Sequence, residues 1–457
     1  MTSLAVILKE AGIYISGSDT SEQFITDVAL NNAGVTIFNG FSPEHVNDAE
    51  IVIYTGAHGG LDNIEVRSAI ERGIRTISYA QAVGELMNGT LLGRKLKGIS
   101  VAGTHGKTTT TAMTATILSR NDLDPSYLIG TSEIPSLGKS GHFGRGEYFV
   151  VEADEYAAEP NSDKRPKFHW HKPAIAIITN IEHDHPDIYP TLESFISAFD
   201  EFIQSLPAEG VLIVNGDDLN IQKIVTHVKI KTITFGFNQA NDVVLSEVKS
   251  TIKYTSFRIK VFGTDLGEVK LNVAGEHNCL NATAAIIASL EVGLSTEQIK
   301  KGISYFIGSK RRLEYVGESG KGAIFYDDYA HHPTEIKKTL RAMREMYPSR
   351  KIVCIFQPHT YSRTKALFSE FTSSFSDSDS VILMDIFPSA REKPDFSLSS
   401  GMLADKIKKL HSDVHFLPTL DDVVKYFDEN PPSGGDIILT MGAGDVYKIS
   451  EKLKVKS

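Results

Sequence analysis

With two cysteines in 457 residues, Cys279 and Cys354, set in different regions, the sequence has no material for a disulfide framework or a cysteine-built zinc site. That scarcity fits a reducing compartment and two buried, inert thiols. Positive charge is also short. Against 57 Asp and Glu stand 47 Lys and Arg, a formal net charge of −10 that argues against nucleic acid or an anionic membrane as partner, while leaving room for a local basic pocket that takes phosphates. No apolar stretch reaches spanning length, and the opening run Leu4 to Leu8 stops at Lys9 and Glu10, short of a signal-peptide core. A cytoplasmic protein is expected. Low-complexity tracts and short-period repeats are missing too. What is present is ordinary globular usage, 41% hydrophobic and 23% charged, in a chain too long for one core.

The first ninety or so residues alternate short apolar runs with helical patterns: YISGSD, EQFITDVALNNAG, VTIFNG, EIVIYTG, NIEVRSAIERG and RTISYAQAVGELM. Strands alternating with helices at this spacing predict a parallel, Rossmann-like α/β domain. A second block opens on KGISVAG and continues through EYFVVEAD, PAIAIITN, GVLIVNGDD and KTITFGF. Residues 243–273 then alternate with period two and carry Gly near their turns, which predicts antiparallel strands and so a mixed central sheet. From RRLEYVGES onward, the strands KIVCIFQ, SVILMDIF and DIILTMGAG predict a third, Rossmann-like α/β unit. The expected domains are 1–95, 96–308 and 309–457.

Gly103-Thr104-His105-Gly106-Lys107-Thr108-Thr109 follows a predicted strand and opens the helical stretch TTTAMTATILSR. Glycines let backbone N–H groups turn toward a phosphate, the helix N-terminus adds partial positive charge, Lys107 reaches terminal phosphates and Thr108 can ligate magnesium. The common form of this loop has another glycine where this chain has Val101, so it is the shorter GxxGKT variant. ATP binding is the reading. Two more segments end strands of the same block, Glu152-Ala153-Asp154-Glu155 and Thr179 to His185. Strand C-termini of a parallel sheet share one edge, so these carboxylates and imidazoles are placed to meet the nucleotide's Mg²⁺. For His185 the chemistry alone leaves capping and metal binding equally open.

Together GTHGKTTTT, EADE and TNIEHDH resemble the Mur ligases, ATP-dependent enzymes that build the peptide stem of peptidoglycan precursors. GEHNCLNATAA, GSKRRLEYVG, YDDYAHHPTE, FQPHTYSRTKAL, DIFPSAREKP and LTMGAGDVYK resemble the branch that joins L-alanine to UDP-N-acetylmuramate. The resemblance implies that Lys107 contacts ATP phosphates, that Thr108 and Glu152 ligate Mg²⁺, and that His185 ligates a second Mg²⁺. It further implies adenine contacts from His277, Asn278 and Asn281, Arg312 beside the phosphates, and Asp328 on the ribose. Tyr329, His359 and Arg363 match positions near the incoming amino acid, where a guanidinium can pair bidentately with a carboxylate. Lys107, Glu152, His185 and Arg312 form the implied catalytic set.

Two segments depart from that branch. Its members begin with a strand and a glycine-rich loop that receives the UDP diphosphate, whereas Met1-Thr2-Ser3 matches the start of the following helix. A misplaced start is expected, with Ser18 and Asp19 in SGSD and the YTGAH segment from Tyr54 as remaining contacts to the UDP portion. The segment Glu152 to His171, with its DKRPK run, looks more like the muropeptide ligase of the same family, which attaches a tripeptide to UDP-N-acetylmuramate. A solvated basic loop accounts for DKRPK equally well. The competing functional classes are a P-loop kinase or GTPase, which leaves the third domain unexplained, and a non-catalytic nucleotide-binding protein.

Overall fold

The computed structural model describes residues 1–22, 26–160, 162–388, 392 and 394–456. Residues 23–25 of the first predicted helix, Asn161 of the DKRPK-bearing segment, and Ser389, Ala390, Arg391 and Lys393 of DIFPSAREKP lie outside them.

The N-terminal region alternates strand and helix as its pattern predicts, and its strands form two separate parallel pairs. Ser16–Asp19 lies beside Thr36–Asn39, and Ile51–Tyr54 beside Arg75–Ser78. The helix Thr2–Glu10 turns Leu4, Ile7 and Leu8 into a core shared with Leu128, Phe149 and Val151 of the middle region. Ser3 Oγ adds a hydrogen bond to Ile129 O at 3.0 Å, so this region is fastened to one edge of the central sheet.

That central sheet has ten strands. Its middle is parallel, with Lys97–Ala102 between Ile175–Ile178 and Tyr148–Glu152. Beyond Lys231–Gly236 lie Val243–Ser250, Thr255–Val261 and Thr264–Leu271, the last three joined antiparallel as their alternation predicts. Helices cover both faces, which is why the central strands read as continuous apolar runs. Ile175 and Ile177 enter the core under helices Lys107–Ser119 and Glu276–Glu291, while Ala176 and Ile178 enter the one under Leu192–Gln204.

A six-stranded sheet organises the C-terminal region: Glu314–Glu318 is its antiparallel edge, followed by parallel Ile324–Asp328, Ile437–Met441, Ile352–Phe356, Ser380–Leu383 and Val414–Phe416. Cys279 and Cys354 are both fully buried, and burial pushes the Cys279 thiol up to about 12. Among the described residues, no helix is long and apolar enough to cross a membrane.

Candidate active site

The loop 103–108 leaves strand Lys97–Ala102 at the same sheet edge from which its neighbours release Asp154, Glu155 and the segment Thr179–His185. Side chains lash these turns together. Asn180 Oδ1 accepts from His105 N at 2.9 Å, Thr179 Oγ1 donates to His105 O at 2.6 Å, and Thr104 Oγ1 donates to Glu182 O at 2.9 Å. Two glycines are required by position: Gly103 has φ +128°, and Gly106 has φ +82° with Asn281 Oδ1 where a side chain would go. The loop's backbone is therefore held in one shape by its own bonds.

Lys107 ends beside Glu155, with Nζ–Oε distances of 2.8 and 2.9 Å, and also donates to Gly103 O at 2.5 Å and Thr104 O at 3.1 Å. Burial opposes its charge, but Glu155, Asp154 and Glu152 outweigh burial and raise its pKa. Thr108 Oγ1 donates to Glu152 Oε2 at 3.1 Å, and Arg312 Nη2 donates back to Thr108 Oγ1 at 3.3 Å across the boundary with the C-terminal sheet. Burial raises the Glu152 pKa. His185 stands on the far side of Glu155, its Nε2 3.6 Å from that carboxylate and 3.7 Å from Asp184, with its backbone at φ +54°.

A cavity of about 110 Å³ opens behind the loop, where the N-termini of helices Lys107–Ser119 and Glu276–Glu291 meet. Gly106, Thr109, His277, Asn278, Asn281, Arg312 and Asp328 line it. His277 is neutral, since burial lowers it to about 4. Asp328 Oδ1 accepts from Ala330 N at 2.7 Å, and its Oδ2 from Leu313 N at 2.9 Å; burial still pushes it up to about 6. A second cavity of about 220 Å³ lies between the middle and C-terminal regions, lined by Asp154, Lys167, His185, His359, Arg363 and Glu392 among others. Arg363 closes its floor. Nε and Nη2 meet the two oxygens of Asp184 at 2.8 and 3.2 Å, with Arg363 4% and Asp184 5% exposed. Burial would raise Asp184, but Arg363 holds it well below the carboxylate range.

Three family models match in chain order: Mur ligase family, catalytic domain, over residues 1–90; Mur ligase middle domain over 101–289; and Mur ligase, glutamate ligase domain, over 311–444. A UDP-N-acetylmuramate--L-alanine ligase of Desulfitobacterium hafniense is 40% identical over 454 residues, covering 99% of this chain and 96% of that protein. This chain belongs to the Mur ligase family. Its fold agrees with the solved structure of a UDP-N-acetylmuramate-alanine ligase from Thermotoga maritima, TM-score 0.82 at 26% identity, covering 100% of this chain and 96% of that one. A murein peptide ligase from Psychrobacter arcticus gives 0.71, also at 26% identity, over 99% and 95%.

On this Mur ligase scaffold the residues singled out in the sequence fall into groups. Gly103 to Thr109, Glu152 and Arg312 converge on the phosphate loop; His277, Asn278, Asn281 and Asp328 share the first cavity; His185, His359 and Arg363 share the second. Tyr329 lines neither, standing instead under the guanidinium groups of Arg311 and Arg312 at 5.0 and 5.2 Å. Ser18 and Asp19 are apart from both cavities: Ser18 Oγ donates to Glu65 at 2.7 Å, and Asp19 lies 3.3 Å from His58. Sequence reasoning singled out no role for Glu335, and it did not show which partners Asp154, Glu155 and Glu182 take. Glu155 belongs to the EADE motif yet its pairing with Lys107 has no local signal. Glu335 bonds His105 Nδ1 at 3.1 Å across 230 positions, while Glu182 bonds His105 Nε2 at 2.9 Å. Asp154 binds Lys167, a residue of the ambiguous DKRPK run, at 2.6 Å. Lys164 and Arg165 are exposed, Arg165 lying over Trp170 at 4.7 Å, so the solvated-loop reading holds for them and not for Lys167.

Proposed function

We propose that this chain is an ATP-dependent ligase that joins L-alanine to the lactyl carboxylate of UDP-N-acetylmuramate, in the cytoplasm, on the way to peptidoglycan precursors. The observation that carries the reading is the convergence of phosphate loop, carboxylates and a buried guanidinium on one edge between two cavities, in a chain that aligns over 99% of its length with the Desulfitobacterium hafniense enzyme. Residues 1–95 take the UDP-sugar, with Ser18 and Asp19 toward the UDP portion, 96–308 take ATP, and 309–457 take the amino substrate.

A carboxylate is a poor electrophile, so it must first be activated. One of its oxygens attacks the γ-phosphorus of ATP, the bond from that phosphorus to the bridging oxygen breaks, and ADP leaves with the electron pair. The amine then attacks the acyl carbon, inorganic phosphate departs, and the nitrogen sheds a proton. Such transfers need positioning and charge stabilisation more than a protein nucleophile. Lys107 and Arg312 face the phosphates, His277, Asn278 and Asn281 hold adenine, and Asp328 holds the ribose. Tyr329, His359 and Arg363 orient the amino acid. Thr108 and Glu152 would hold Mg²⁺: their oxygens are 3.1 Å apart, close to the ~3 Å between adjacent ligands of an octahedral site with bonds of ~2.1 Å. His185 would take a second ion on the acceptor side. Mg²⁺ supplies neutralisation of phosphate charge when bound.

Phosphate release from ATP that requires both UDP-N-acetylmuramate and L-alanine tests the reading; release without an amine points to a simple ATPase, and no release to a binding protein. A second amino substrate, the tripeptide L-Ala-γ-D-Glu-meso-diaminopimelate, is favoured by one observation: Lys167 of the muropeptide-ligase-like segment reaches into the second cavity. Preference for the tripeptide in the same assay overturns L-alanine.

A further inference from the structure

Two consecutive carboxylates leave strand Tyr148–Glu152, and each holds a lysine. Glu155 holds Lys107 at 2.8 Å, and Asp154 holds Lys167 at 2.6 Å. Lys107 is the phosphate-loop cation. Lys167 occupies the neighbouring cavity, where it lies over the ring of Tyr156 at 5.6 Å; that ring meets His185 edge-on at 4.8 Å.

The backbone fixes Lys167 in this place. Its N–H donates to Tyr156 O at 3.0 Å, and the next N–H, of Phe168, donates to Asp154 O at 3.1 Å. Phe168 is 1% exposed and packs on Phe202 at 4.7 Å. The ammonium's counter-ion, by contrast, is partly exposed and gives it one oxygen, the other accepting from Tyr156 N at 3.0 Å. Asp154's side chain is 36% exposed, whereas Asp184, which holds the cavity's other permanent cation Arg363, is 6% exposed and bound through both oxygens.

The reaction proposed above brings two anions together, a terminal phosphate and a carboxylate, and their repulsion has to be offset on both sides. One lysine serves the phosphate. No lysine lies on the helix Leu192–Gln204 that follows the His185 turn. We propose that Lys167 is the acceptor-side counterpart of Lys107: it binds the carboxylate that will be phosphorylated, taking it in exchange for Asp154. The ammonium moves no proton. It pairs with the oxygen left free while the other attacks phosphorus, and remains paired with the carbonyl oxygen of the acyl phosphate. This assignment rests on the ligase reading.

The test is Lys167→Met in the full chain, with thermal unfolding as the check on folding and UDP-N-acetylmuramate binding by calorimetry as a readout independent of turnover. A charge-assisted bond of this kind is worth about 10- to 100-fold, so acceptor affinity and the KM for acceptor weaken by that range. The KM for ATP and the affinity for a non-hydrolysable ATP analogue stay within about two-fold. Lys167→Arg recovers part of the loss. Asp154→Asn, which removes the competing anion, leaves acceptor binding equal or tighter; a merely structural pair would weaken it. Wild-type and Lys167→Met proteins that bind acceptor alike, or wild type that binds none, overturn the assignment. Acceptor binding lost in Lys167→Met, with no phosphate release by wild type on either amine, keeps Lys167 as the anion site and removes the ligase reading.

Discussion

Gly106 and the pair Arg363–Asp184 show how tightly the site is specified atom by atom. Gly106 sits in the left-handed region, where any other L-residue costs roughly 1–2 kcal/mol, and a side chain there meets Asn281 Oδ1. Asn281 in turn donates to Asn278 Oδ1 at 3.1 Å, so yielding to a methyl group disturbs two cavity-lining amides. Gly106→Ala is expected to weaken binding of a non-hydrolysable ATP analogue at least ~10-fold by calorimetry, and unchanged affinity would show that the loop tolerates rearrangement. Arg363 and Asp184 present a different case, a bidentate pair with both members buried. Removing one charge strands the other at a cost of about 3–5 kcal/mol, although the pair as a whole contributes much less. Asp184→Asn should lower the urea midpoint sharply, and Arg363→Met added to it should restore part of the loss. A coupling energy under about 0.5 kcal/mol would mean that the two side chains act independently.

At the scale of elements, helix Leu192–Gln204 supports the turn that carries Lys167 into the second cavity. Thr191 and Ser194 form a capping box at its start, and Phe195, Phe199 and Phe202 line its buried face. Phe168 packs on Phe199 and Phe202 at 5.5 and 4.7 Å, so its ring joins the backbone bonds of Lys167 and Phe168 in anchoring the turn Lys167–Trp170. Phe168→Ala is expected to cost about 3–5 kcal/mol and to speed backbone hydrogen exchange through residues 157–170 while leaving the phosphate loop protected. Loss of protection in both segments alike would show that the turn is no separate unit. The sequence makes this element only half visible. The helix is legible from its periodicity, and the phosphate loop from residue types that each have a local role. The hairpin pairing Ala157–Glu159 with Asp163–Pro166 is not, because it is short and bulged. Nor are strands Ser126–Leu128 and Gly141–His142, too brief to show a period. Basic residues in DKRPK look alike as letters; strand Asp163–Pro166 leaves Lys164 outside, and the turn Lys167–Trp170 that follows it sends Lys167 inward.

For the whole molecule, what the sequence cannot display is how the middle and C-terminal regions close on each other, since that depends on partners hundreds of positions apart. His105 is the clearest of them. Burial alone would lower its pKa, but Glu335 from the C-terminal region and Glu182 from the middle outweigh it and hold the imidazolium up to about 9; the His332 ring lies tilted against it at 4.6 Å. A histidine whose pKa is raised on folding contributes stability that is complete below its ordinary value of 6.5 and is lost as pH rises through 9, here at most about 3 kcal/mol. Three other histidines at the same interface have the opposite sign. Burial lowers His331 and His332 to about 4 and His359 to about 3, so they are neutral, and their contribution is present above 6.5 and lost as pH falls below it. The Arg363–Asp184 pair keeps its charges across this whole range, because Arg363 is raised and Asp184 lowered. Closure of the two regions is therefore expected to be strongest near pH 6.5 and to loosen on both sides. Urea unfolding and small-angle scattering between pH 5 and 9.5 should give a maximum in midpoint and a minimum in radius of gyration near that value. His105→Gln should shrink the alkaline limb to the share left by His185, which Asp184 and Glu155 also raise, while leaving the acidic limb. A wild-type profile flat from pH 7 to 9.5, or an alkaline limb undiminished by the substitution, would place the titrating group elsewhere.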